Sequence, residues 1–392
     1  MKTFGKVLEL LQDKQYEVIV LQGDQEDRQV LVSPQMVGRV MVSTMAGAKG
    51  DVLGWVNRPA VDAGFTDPGF NNFGGEERIW LGPDGTEKGL IFKDTEFTWD
   101  SFRIPEAYSS QPFENLGASP DDKSVAMRAQ WKLQNLQGTD FQVRLDRKIT
   151  LLEACPYANE FGGEVDFVGF QSDNTVTNTG NKPITRDGGP LTLWLLNHYL
   201  PHKRGVLVVP FAKGPDSELG PALRDEFFDY FRSDPSSHPS TLYRYGENYA
   251  LVKANCSIRC KFGIGRPRCI GRAGSLDLDT NELVIVDNDF YPEMDYATNY
   301  WRKTKDLFDG DAMNICVDGP GCDGDPVFAE PDNLAYEIET ISPALFLHPG
   351  QSYASRSRTF RLRGKQEAID AICRRYLYAD RPAIEAFDAQ ES

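Results

Sequence analysis

Residues 334–341 read Leu-Ala-Tyr-Glu-Ile-Glu-Thr-Ile, with two carboxylates, Glu337 and Glu339, one residue apart. In a strand, residues i and i+2 point to the same face, so the two stand side by side about 6.5–7 Å apart along the chain. Like charges that close repel, and on a face shielded from water each raises the pKa of the other. A cleft over that face makes one of them a candidate general base. A solvated face tolerates the pair at little cost. A second segment, Asn71–Gly85, runs Asn-Asn-Phe-Gly-Gly-Glu-Glu-Arg-Ile-Trp-Leu-Gly-Pro-Asp-Gly. Glu76 and Glu77 offer acceptors, Arg78 a forked donor, and Trp80 a flat apolar face. A pyranose asks for that mixture: bidentate polar groups for its hydroxyls and an aromatic plane for its C–H face. Gly74 and Gly75 allow either close backbone approach to a ligand or a positive φ. The competing reading is a hairpin turning at Gly82–Gly85 with a surface ion pair.

Other reactive residues give weaker signals. Thr177–Gly180 is a strand running into a tight turn, and Trp194 beyond it is either a stacking residue or core. His198 and His202 are four residues apart, but Pro201 between them argues against a shared helical metal face. Cys256, Cys260 and Cys269 follow a spacing that matches no structural zinc pattern, and no histidine falls among them. The seven cysteines read as reduced, mostly buried thiols. Gly263 and Gly265 lack the strand, glycine loop and helix that a dinucleotide site needs. No metal and no cofactor are expected.

The elements that must position these residues are mostly strands. Val125–Leu133 and Phe141–Leu151 alternate apolar and polar residues, and Gly138 lies in the turn between them, so they read as a long antiparallel hairpin. Further strands are expected at Val165–Gly169, Leu191–Leu196, Gly205–Val209, Thr241–Tyr245, Ser257–Gly263, Glu282–Asp287, Leu334–Ile341 and Arg358–Arg363. Apolar residues at helical spacing predict helices over Thr3–Lys14, Leu219–Phe231 and Lys365–Leu377, all peripheral. Without a βαβ alternation, a parallel doubly wound sheet is not expected. So many antiparallel strands must close or stack to hide their edges. The fold class is therefore mainly β: one large antiparallel sandwich domain over 1–392, decorated by short helices at about 3–14 and 365–377.

Composition bounds the partners. The 392 residues carry 42 basic and 58 acidic side chains, a formal charge of −16. That balance argues against a nucleic-acid partner and against anionic membranes. Apolar runs fall short of the roughly 20 residues of a membrane helix. Glu9 and Asp13 interrupt the only N-terminal run that could serve as a secretory signal, so a cytoplasmic location is expected. A mature exported form fits the same reading.

The sequence also resembles known families. Gly74–Gly85 is similar to the "GGEDRFWLGPEGGQ" segment of an uncharacterised bacterial family (DUF6786-like). Gly38–Thr44, Gly54–Asn57, Thr177–Gly180, Gly310–Asn314 and Tyr336–Ala344 extend the likeness over most of the chain. The order of segments resembles galactose mutarotase-like proteins. Thr177–Pro183 looks like the "TNTGDKP" strand of aldose 1-epimerases, and Glu339-Thr340 with Leu347–Gly350 looks like their "E-T-Q … L-x-P-G-E" ending. The resemblance implies a β-supersandwich with a sugar cleft, Glu339 as the base that takes the anomeric hydroxyl proton, and Arg78 as a substrate-binding arginine. The chain departs from that pattern in two places. Ile341 replaces the glutamine, and Asp187–Gly189 stands where epimerases carry the histidine that protonates the ring oxygen. The nearest histidine is His198.

The expected ligand is thus a carbohydrate. Glu339 and Glu337 are the catalytic candidates, and Glu76, Glu77, Arg78, Trp80, Trp194 and His198 the binding candidates. A non-catalytic carbohydrate-binding or scaffold protein is the alternative, and a polysaccharide lyase or glycosidase the third reading.

Overall fold

The two longest alternating stretches form the expected hairpin. Strands β6 (Ser124–Gln134) and β7 (Asp140–Leu151) pair antiparallel from Ser124↔Thr150 to Gln134↔Asp140. Gly138 takes a φ of 87° in the turn between them. The structure is a computed structural model and describes residues 2–66, 70–121, 123–161, 163–227, 242–319 and 334–390. The hairpin belongs to a ten-stranded sheet. In spatial order its other members are β11 (Tyr243–Tyr245), β12 (Tyr249–Lys253), β10 (Gly205–Pro210), β14 (Arg272–Asp277), β15 (Glu282–Asn288), β18 (Ser352–Gly364) and β8 (Val165–Asn178), with β5 (Glu114–Ser119) beyond β6.

A five-stranded sheet holds β13 (Cys260–Gly265), β16 (Asp311–Val317), β17 (Tyr336–Ile341), β9 (Thr192–Tyr199) and β4 (Arg78–Gly82), in that order. All its neighbours pair antiparallel. Period two sends Ile79, Leu81, Leu193, Leu195, Ile315 and Ile338 to the back of this sheet. There they join the buried core formed with Val143, Leu145, Leu207, Val209, Val284 and Val286 of the larger sheet. Full burial of such a side chain stabilises by about 1.5–3 kcal/mol. This packing fixes the small sheet and leaves its front face for the residues discussed below.

A third sheet contains β1 (Ile19–Gln22), β2 (Gln29–Ser33) and β3 (Arg39–Thr44). The helices are α1 (Phe4–Asp13), α2 (Arg58–Ala63), α3 (Glu106–Ser109), α4 (Asp216–Leu219), α5 (Gln366–Tyr376) and α6 (Arg381–Asp388) among the described residues. α1 buries Phe4, Val7 and Leu11 against Leu31, Met41 and Val42. α5 and α6 are a covering layer rather than an appendage. Their Ile369, Ile372, Ile384 and Phe387 pack on Val206, Val208, Ile285 and Leu362, on the outer face of the large sheet.

The helix expected over Leu219–Phe231 does not form across 220–227; residues 228–231 lie outside the described residues. Gly220 takes a φ of 72° immediately after α4, and Pro221 follows, so the helix stops where the apolar spacing would have started it. The expected strand at 165–169 continues to Asn178, because β18 pairs with it along its whole length.

Candidate active site

The pairing registers of the small sheet lay its front face out in rows. Trp80, Trp194 and Ile341 form one row across β4, β9 and β17. Arg78, Leu196, Glu339, Asn314 and Gly263 form the next. His198, Glu337, Cys316 and Lys261 form a third. Extending the Cys260↔Val317 register by one residue sets Arg259 opposite Asp318. Every strand therefore contributes alternate residues to one polar face, as period two requires.

That face floors a cleft of about 520 Å³ of empty space, continuous with solvent. Its lining includes Arg78, Arg259, Lys261, Asp84, Asp318, Glu337 and Glu339. Trp80, Trp99, Trp194 and Trp301, four of the chain's six tryptophans, line it as well. Phe70, Trp99 and Phe102 are its half-buried aromatics.

Glu339 is held on three sides. The Trp194 indole N–H donates to its Oε2 at 2.9 Å, and the Asn314 amide donates at 3.1 Å. The Lys261 ammonium lies 2.9 Å from Oε1 and 3.1 Å from Oε2. Burial and the Glu337 charge push the Glu339 carboxyl up to about 7, against the pull of Lys261. Burial also works against ionisation of Glu337. There, however, His198, Arg78 and Lys261 outweigh it and hold the carboxyl well below the usual range. Arg78 Nη2 stands 3.6 Å from Glu337 Oε1, and His198 Nε2 donates to that same oxygen. Burial and the Arg78 charge bring His198 down to about 4, so it serves Glu337 as a neutral donor. The two glutamates thus separate into an ionised Glu337 and a Glu339 poised near neutrality.

Of the residues singled out in the sequence, Arg78, Trp80, Trp194, Glu337 and Glu339 share the cleft. His198 lies on the same face but 1% exposed behind Glu337, and does not line the cleft. Glu76 and Glu77 are not there. Glu77 precedes β4 with the opposite parity to Arg78 and turns inward, where its Oε1 meets Arg147 Nη2 at 2.7 Å with both side chains fully buried. Glu76 is pinned by backbone bonding to Met41 and accepts from the Ser43 hydroxyl at 2.8 Å. Gly74 and Gly75 serve this same local fold. Both have positive φ, and a Cβ on Gly74 would lie 2.4 Å from the Trp55 carbonyl oxygen. The stacking face expected of Trp80 is occupied. Tyr108 stacks on the ring at 5.5 Å, and the Arg78 guanidinium lies over it at 4.3 Å.

Several cleft residues escaped the sequence reading. Lys261 and Asp318 lie in stretches whose alternation is hidden because both faces are buried. Asp84 was read as turn; its Oδ2 accepts from the Trp301 indole at 3.2 Å. Cys316, Glu337 and Glu339 bring one potential ligand atom each within 4.8 Å of one another. As a metal donor set they are already served, because the Lys261 ammonium sits on Glu339 and burial keeps the Cys316 thiol protonated.

A ten-stranded sheet backing a five-stranded one makes a large antiparallel β-supersandwich of the galactose mutarotase-like fold. A putative aldose 1-epimerase from Escherichia coli K12 shares this fold, with a TM-score of 0.51 and 12% identity over 89% of this chain and 100% of that one. The Slr1438 protein of Synechocystis sp. PCC 6803 matches with a TM-score of 0.52 and 13% identity over 89% and 96%. The chain belongs to the family of unknown function DUF6786, whose sequence model matches residues 2–387. No curated protein sequence matches it.

Proposed function

We propose that the cleft binds a carbohydrate and carries out acid–base chemistry at its anomeric centre, with Glu339 as the base. The carrying observation is that Glu337, Glu339 and Arg78 share one cleft with four tryptophans. Glu339 is suited to the base role because its carboxyl is poised at about 7, near the working range of a general base. Arg78, fixed by Glu337, Trp80 and the Asn72 side-chain amide oxygen, presents hydrogen-bond donors to ligand hydroxyls. The buried Arg78 Nε and Trp80 Nε1 have no hydrogen-bond partner among the described residues, which favours a ligand rich in acceptors. Trp99, half-buried at the cleft with Arg259 over its ring and Trp301 against its edge, adds an apolar wall for the ligand. The substrate-binding set in this reading is Arg78, Trp80, Trp99 and Trp194.

Hydrolysis fits less well. Glycosidase carboxylates flank the scissile bond, whereas Glu337 and Glu339 stand side by side on one strand of the cleft floor. Binding without turnover is the second reading. It is favoured by the three donors that already hold Glu339.

The test is anomer interconversion on a panel of free sugars, wild type beside Glu339→Gln. The expected result is turnover of at least one sugar, with the variant slower by about 10²–10⁴. Sugar binding without turnover would sink the catalytic reading and keep the binding one.

A further inference from the structure

Acid–base work on a hemiacetal needs an acid as well as a base, and the only histidine on the front face among the described residues, His198, is shielded behind Glu337. We propose that Asp318 is the general acid of this cleft, giving its proton to the sugar's ring oxygen while Glu339 takes the proton of the anomeric hydroxyl. This assignment rests on the catalytic reading above.

The geometry carries it. Asp318 lines the cleft and is 2% exposed. It immediately follows β16, and its backbone N–H donates to the Ala335 carbonyl at 2.8 Å, which keeps it in register beside β17. It therefore points to the front face, two residues beyond Cys316 and diagonal to Glu337. Glu339 reaches toward it from the other side of Glu337, with a carboxylate oxygen within 4.8 Å of Cys316 Sγ. The Cys316-to-Asp318 step adds about 6.5–7 Å along the strand. Asp318 and Glu339 thus line one cleft, one on each side of Glu337.

The charges around Asp318 favour the protonated form it needs. Burial and the Glu337 charge push its carboxyl up to about 8, with Glu339 adding to that and Arg259 and Arg78 opposing it. The thiols of Cys256, Cys260 and Cys316, which also feel its charge, are held protonated by burial. Glu337, ionised between the two, serves both as a fixed negative charge.

The step balances. Glu339 accepts the hydroxyl proton, the C1–O bond to the ring oxygen breaks as C1=O forms, and Asp318 protonates the departing ring oxygen. Rotation about the C1–C2 bond and reclosure on the other face of the aldehyde return both protons.

The experiment compares wild type, Asp318→Asn and Asp318→Glu in kcat, KM and pH profile on the sugar that wild type turns over best. Asp318→Asn is expected to lose about 10²–10⁴ in kcat with KM little changed, and to lose the alkaline limb of the profile. Asp318→Glu should recover part of the rate. Wild-type turnover with an unaffected Asp318→Asn overturns the assignment alone. Absence of turnover by wild type on every sugar overturns it together with the catalytic reading.

Discussion

The Lys261–Glu339 pair offers the sharpest test of how the cleft is held. Its nitrogen and nearest oxygen are 2.9 Å apart, and the two side chains are 4% and 1% exposed. At an effective dielectric of about 20, that separation corresponds to an attraction of about 6 kcal/mol. Desolvating the two ions costs several kcal/mol each, so the pair's net contribution is small. Removing one partner is another matter. Lys261→Met leaves a buried carboxylate without its cation, a change expected to cost about 3–5 kcal/mol. That is a large share of a typical folding free energy of about 5–15 kcal/mol. Glu339 has one escape, which is to take up a proton, since it already sits at about 7 and Lys261 is what lowers it. The loss should therefore be largest at alkaline pH and smaller in acid. Lys261→Met/Glu339→Gln removes both charges and should recover most of the stability. Urea unfolding of the four proteins at pH 6 and pH 8.5 gives the double-mutant cycle directly. A single-variant loss below about 1 kcal/mol at pH 8.5, or a coupling energy indistinguishable from zero, would refute the claim that Lys261 is the cation on which Glu339 depends.

Two further outcomes follow from the same electrostatics. Turnover should be bell-shaped in pH: it falls as pH drops through about 7, where Glu339 gains a proton, and falls again as pH rises through about 8, where Asp318 loses one. Both folded pKa values are raised, so both groups add stability that is complete below the ordinary carboxylate range and lost progressively as pH rises from there through about 7 to 8; the urea midpoint of Glu339→Gln should accordingly fall less than that of wild type between about pH 5 and pH 8. Glu77→Gln, which leaves the fully buried Arg147 guanidinium without its carboxylate, should destabilise by about 3–5 kcal/mol while the folded protein keeps wild-type sugar affinity, measured by calorimetry; a loss of affinity at unchanged stability would place Glu77 in the site instead.

The residues that carried the fold were those with one wet and one dry side. In β6 and β7 the apolar alternation is visible because one face is buried and the other half-exposed. The small sheet hides the same signal. All six residues of β13, all seven of β16 and all six of β17 are buried, since the core covers one face and the cleft walls cover the other. Glu337 and Glu339 stood out only because carboxylates are conspicuous in an otherwise apolar strand. Lys261, Cys316 and Asp318 gave no comparable sign, and their meeting depends on a register between strands more than fifty residues apart in sequence. Gly-Gly-Glu-Glu-Arg-Ile-Trp misled for the opposite reason. It reads as one polar recognition segment, but a strand begins at its Arg78 and sends Arg78 and Trp80 forward while Glu77 turns back to Arg147.

The row of charges on the small sheet also sets which carboxyl of the cleft floor carries the negative charge. Three carboxyls stand close together on two neighbouring strands, shut away from most water. They cannot all ionise, because each added negative charge raises the cost of the next. Which one ionises is decided by donors that the fold supplies from its other strands. The central Glu337 receives both Arg78 and His198 and takes the charge. Its ionisation then pushes up the two flanking groups, Glu339 and Asp318. The difference between those two comes from their partners: Glu339 has an ammonium in direct contact, whereas Asp318 has guanidinium groups opposing its rise through the field alone. The flanking carboxyl with the contact cation is the one that ionises first, which suits it to the proposed role of base. The one without is left holding a proton, which suits it to the proposed role of acid. His198 contributes by fixing the charge on Glu337, from a position where it needs no access to the ligand.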